Sequence, residues 1–179
     1  MSWDPVAELT ADERRSFGSG AAHWAELVPL NVPGPFYTRS NDNCWTGRIE
    51  APMSVMYGGK YFEEYVFRQP RNPHEVRDLV RAADVEITGG YGCDGDRWWT
   101  PALVRGWWAD RGRVEADLTA SLAAFERESD EQNADAAAGV AQARAYVAGA
   151  LAGDLRAYLF RLEEGRYPRA GERLPGLGP

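Results

Sequence analysis

The chain has 179 residues, 44% hydrophobic and 26% charged, which is ordinary for a soluble globular protein and fits one domain. With 27 Asp and Glu against 20 Lys and Arg the net charge is −7, which argues against non-specific binding to nucleic acid or to an anionic membrane surface. No stretch approaches the roughly 18 apolar residues of a membrane-spanning helix, and MSWDPVAELT has neither the basic nor the apolar region of a secretory signal. Lys60 is the only lysine, so the basic residues are almost all arginine, the bias of a GC-rich genome, and a bacterial source is expected. Two cysteines, Cys44 and Cys93, give no disulfide framework and no Cys-x-x-Cys site, and a cytoplasmic location is expected.

In chain order, Thr10 and Glu13 have capping-box spacing at the head of a first helix, which Gly18 and Gly20 weaken or split. Three prolines between Pro29 and Pro35 then force an extended or turning segment, followed by loop chemistry around RSNDNCWTG. MSVMYGGKYFEEYVF reads as a β-hairpin turning tightly at Gly58-Gly59, with one face packed and the other partly wet. Asn72-Pro73 opens a helix striped by Val76, Leu79, Val80 and Ala83, and DVEIT is a candidate third strand. Thr100-Pro101 repeats the start signal for a long helix striped by Leu103, Trp107, Val114, Leu118, Leu122 and Phe125. The period fails at ERESDEQNAD, the turn of a helical hairpin. The last helix places Val140, Val147, Leu151, Leu155, Tyr158, Leu159 and Leu162 on one side and stops at Gly165. The expectation is a single helix-rich α+β domain over 1–164. Residues 30–100 form its mixed hairpin and loop region, 101–164 an antiparallel helical pair, and 165–179 a flexible tail.

GGYGCDGDRWWTP contains G-x-G-x-x-G at Gly90, Gly92 and Gly95. A dinucleotide loop needs a strong strand before it and a helix N-terminus directly after it, so that the pyrophosphate meets free N–H groups. Here the strand is weak, the helix begins only at Thr100, and Asp94 and Asp96 stand where the anion belongs. The glycines are better read as loop formers that permit positive φ. The oxygen-rich NDNC (Asn41, Asp42, Asn43) and CDGD do not match a calcium loop. No pair among Cys44, Cys93, His23 and His74 has zinc spacing, so neither metal nor cofactor is expected.

Two functions remain. The first is a non-catalytic binding or interaction protein, acidic and tryptophan-rich, of inhibitor or immunity type. It would recognise a protein partner or small ligand through loops 41–45 and 89–99. In that reading Trp45 and Trp99 are walls, Asp94 and Asp96 select a cationic or hydroxyl-bearing group, Arg97 takes an anion, and Asp42 is a further ligand-binding residue. The acids of 125–135 (Glu126, Glu128, Asp130, Glu131, Asp135) offer a docking surface for a basic partner, or simply a solvated tip. The second is a small enzyme in which Cys44 or Cys93 is activated by His74, oriented by Asp94.

Overall fold

A computed structural model describes residues 3–42, 44–128 and 130–178. The first helix is split at its glycines into a 3₁₀ turn, Glu13–Ser16, and a single turn α1, Ala21–Trp24. The capping box forms: Thr10 N–H donates to Glu13 Oε2 at 2.8 Å, and Glu13 N–H donates back to Thr10 Oγ1 at 3.2 Å. The chain then passes through β1 (Tyr37–Thr38), α2 (Gly47–Glu50), β2 (Val55–Gly58), β3 (Glu63–Val66) and α3 (Pro73–Val85). After β4 (Tyr91–Gly92) come α4 (Pro101–Ala109), α5 (Gly112–Phe125), α6 (Glu131–Ala148) and α7 (Leu151–Glu164). The result is a helix-rich α+β domain with two small antiparallel sheets, β1 with β4 and β2 with β3.

The hairpin is the middle layer. Val55 and Val66, paired across it, join a cluster with α3, whereas Met56 and Tyr65, the next pair, face a cluster built by α4 to α7. The expectation of one wet face is therefore overturned, since Glu64, Tyr65, Val66 and Phe67 are all buried. Burial of Glu64 is possible because its carboxylate accepts from Tyr91 Oη at 2.6 Å and from the N–H of Gly47 at 2.7 Å. The turn also differs. Gly58 pairs with Glu63, so four residues, Gly59 to Phe62, make the turn, and positive φ falls on Gly59 (71°) and Phe62 (54°) rather than on two glycines.

Asn31, wholly buried, fastens the proline segment between the two sheets. Its Nδ2 donates to the carbonyls of Val28 and Thr38, and its Oδ1 accepts from the N–H groups of Thr38 and Val66. One side chain thus supplies strand-like partners to a segment that prolines keep out of a sheet.

The helix starts expected at Asn72 and Thr100 form, each side chain accepting an N–H three residues on, and Asp130, read only as an acid of the hairpin tip, caps α6 in the same way. Two long helices expected as continuous are each broken, at Asp110–Arg111 beside Gly112 and at Gly149–Ala150, where glycine weakens the helix. Leu103, expected in the buried stripe, is 49% exposed, and Val104 takes its place beside Trp107 in the core. The expected pairing survives: α5 lies against α6 across a short turn, α6 also touches α7, and α7 touches α4. DVEIT is not a strand, because α3 runs on to Val85 and Ile87 lies exposed. After α7, which ends at left-handed Gly165, the chain returns along the helices. Arg156 holds the carbonyls of Leu174 and Pro175, and Leu177 is buried.

Candidate functional site

The glycines of the 89–95 loop are selected by crowding. Of Gly90, Gly92 and Gly95 none has positive φ, which falls on Gly89 instead. A Cβ at Gly90 would lie 2.6 Å from that of Asn41, one at Gly92 would lie 2.5 Å from the Tyr37 ring, and one at Gly95 would collide with the Gly34 carbonyl. The pattern therefore records close backbone approach, not a phosphate cradle.

Among the described residues the two loops approach each other at their inner ends, where Asn41 abuts Gly90. Beyond that point their side chains turn to different parts of the molecule. Asp42 accepts from the N–H of Cys44 at 2.8 Å. Trp45 stacks on Tyr57, with centroids 4.7 Å apart, meets Phe125 edge-on, and donates its indole N–H to the Phe62 carbonyl. Asn43 lies outside the described residues.

The second loop is anchored twice. Asp94 accepts from Tyr37 Oη at 2.8 Å, from the Gly20 N–H at 3.0 Å and from the Trp98 indole at 3.1 Å. Partial burial pushes its carboxyl up, but these three donors outweigh that and hold it below the ordinary range. His23 extends the chain, with Nδ1 3.1 Å from Tyr37 Oη and Nε2 3.0 Å from the Gly89 carbonyl. Since a carbonyl only accepts, Nε2 is the donor there. Asp96 accepts from Tyr158 Oη at 2.9 Å and pairs with Arg161 at 3.2 Å, which ties the loop to α7. Burial raises its carboxyl despite both partners. Trp99 is buried against Trp24, and Arg97 stands exposed over Trp98.

No hydrogen bond or ion pair among the described residues assembles the cysteine, histidine and acid. His74 has an 81% exposed side chain whose charged neighbour is Asp78, 3.7 Å away on its own helix. Asp42, by hydrogen bonding and by repelling the thiolate, pushes the exposed Cys44 thiol up, and burial pushes Cys93 up to about 11. Among the described residues no group of three or more His, Cys, Asp or Glu side chains is arranged to hold a metal ion. Of the acidic 125–135 segment, Asp130 is spent as the cap of α6 and Asp135 binds Arg48 at 2.9 Å, joining α6 to α2, whose Arg48 also donates to the Val55 carbonyl of β2.

A cleft of about 290 Å³ opens instead between the proline segment and α7. Pro33 and Pro35 form one wall, Tyr158 and Ala157 of α7 the opposite one, and Trp3 and Tyr167 come from the two terminal segments. The cleft adjoins the second loop through the Tyr158–Asp96 bond. Its mouth carries Arg71 and Asp154, paired at 2.8 Å and roughly half exposed (45% and 42%). Below them Tyr146 is buried, its hydroxyl directed towards Asp154 without reaching hydrogen-bond geometry. Sequence reasoning missed this cleft. Tyr158 was visible only as a member of an apolar stripe, and Trp3 and Tyr167 sit in segments with no periodic pattern.

Comparison of the chain with protein-family models, curated proteins and solved structures finds no match.

Proposed function

We propose that the protein is a non-catalytic binding protein that takes a small ligand in the cleft between the proline segment and α7. The observation that carries this reading is the cleft itself: a concave, predominantly apolar site with a few polar groups at its mouth, the usual form of a small-ligand site. The 89–99 loop serves it from behind, because Asp96 positions Tyr158 and Arg161. The enzyme reading draws less support, since a thiol whose pKa is raised and that no histidine hydrogen-bonds among the described residues is a poor nucleophile at neutral pH. The arginine-rich composition and two unpaired cysteines fit a bacterial, cytoplasmic protein.

A ligand-observed NMR screen of small ring fragments tests the proposal, with Ala157→Trp as the control that fills the cleft from α7. Fragments should bind the native protein and be lost in the variant, whose fold is checked by circular dichroism. Binding that survives Ala157→Trp, or a screen without hits, would overturn the reading. In parallel, both thiols should react with a disulfide reagent more slowly than an unperturbed cysteine; a fast-reacting thiol would restore the enzyme.

A further inference from the structure

The polar groups of the cleft narrow its ligand, on the reading that the cleft is the binding site. Its walls are rings: Trp3, Pro33, Pro35, Tyr158 and Tyr167 offer flat apolar surface to a flat apolar body. A volume of about 290 Å³ lies at the lower end of ligand sites, which run from about 300 to 1,000 Å³, so the body is one or two fused rings.

The mouth sets the charge. Arg71 Nη2 donates to Asp154 Oδ2, which leaves further guanidinium N–H groups and Oδ1 of Asp154 without a hydrogen bond among the described residues. The two charges cancel, and burial keeps the tyrosines of the walls neutral by raising them well above their ordinary value. A ligand bearing net charge would shed its hydration here with no unmatched countercharge to receive it. A cation meets a further obstacle. Arg71 already stands over the Tyr146 ring, 5.6 Å from its centroid, and Arg161 over Tyr167 at 5.7 Å. What the mouth does present is a donor beside an acceptor, with the buried, unpartnered hydroxyl of Tyr146 next to them.

We infer that the cleft takes an uncharged planar ring compound of the cyclic-amide type, its N–H donating to Asp154 and its neighbouring carbonyl accepting from Arg71. Removing either half of that edge leaves one charged group of the mouth unsatisfied, which is where the selectivity arises.

Calorimetric titration of the native protein with four probes tests this: 2-quinolone, N-methyl-2-quinolone, 2-naphthoate and 2-naphthylmethylammonium. Native protein should bind 2-quinolone about tenfold or more tightly than each of the others, the scale of one charge-assisted hydrogen bond. Asp154→Ala should remove most of the difference between the first two probes. If 2-naphthoate or the ammonium binds as well as 2-quinolone, or if methylation changes nothing, the ligand class is wrong. If none of the four binds while the fragments of the wider screen still bind and still respond to Ala157→Trp, the ligand class falls and the cleft stands. Loss of that response would remove the cleft reading itself.

Discussion

Glu64 shows how a single residue couples burial to pH. It is fully buried in β3, and desolvation raises its carboxyl; the Tyr91 and Gly47 donors oppose this, and Asp42 and Glu86 add to it. Below its ordinary value of 4.5 the carboxyl is protonated in both folded and unfolded chains, and its contribution to stability is fully present. As pH rises, the unfolded chain ionises first, so that contribution is lost progressively until the folded carboxyl ionises too. Glu64→Gln has no such titration, and its amide can accept from Gly47 and donate to the Tyr91 oxygen. Relative to the native protein, the variant should therefore gain stability as pH is raised from about 4 to 7, read as the difference between urea midpoints. A difference that does not move with pH would show that Glu64 titrates normally. Asp94 behaves with the opposite sign. Its carboxyl is lowered, so its contribution is present above its ordinary value of 3.8 and is lost as pH falls through the folded value. Neither role was legible in the sequence. Glu64 read as an acid on a partly wet hairpin and Asp94 as a ligand-selecting or histidine-orienting acid, because the donors that hold them (Tyr91, Gly47, Tyr37, Gly20, Trp98) are brought together only by folding.

At the scale of the element, the hairpin separates two uses of glycine that look alike in Gly58-Gly59. Gly59 has φ of 71° and open space around its Cβ position, whereas Gly58 would place a Cβ 2.9 Å from Leu30 and Tyr65. Gly59→Ala should cost about 1 kcal/mol through backbone strain, and Gly59→Asn less, since asparagine tolerates the left-handed region. Gly58→Ala should cost roughly 1–3 kcal/mol by overpacking, with Gly58→Asn no better. Equal responses to alanine and asparagine at Gly59 would refute the conformational cause there. Helix starts were readable locally at Asn72 and Thr100, which need only their own next turn to make their caps. The breaks at Asp110–Arg111 and Gly149–Ala150 were not. Glycine only makes a break cheap; whether it occurs depends on what the following helix must pack against.

Across the whole molecule, the hairpin is held between α3 and the C-terminal helices, with a separate apolar cluster on each side. Leu118 of α5 and Leu155 of α7 are buried in the same cluster, so Leu118→Ala and Leu155→Ala should each cost roughly 2–5 kcal/mol in equilibrium unfolding. Native-like midpoints in both variants would mean that these helices do not form a shared core. Leu155 also lines the cleft, so its variant should weaken fragment binding while Leu118→Ala leaves it intact. By itself the sequence determined the class of fold, the caps at Thr10, Asn72 and Thr100, the hairpin arms and the pairing of α5 with α6. Each follows from patterns within one element or between neighbours joined by a short turn. Tertiary structure alone decided that the hairpin is covered on both faces and that Asn31 substitutes for a strand between two sheets. It also decided that loops 41–45 and 89–99 diverge after Asn41 meets Gly90, and that prolines, tyrosines and both terminal segments close on one cleft. The reason is the same in each case. These contacts join residues far apart in the chain, and no local period or cap carries information about which distant surfaces will bury one another.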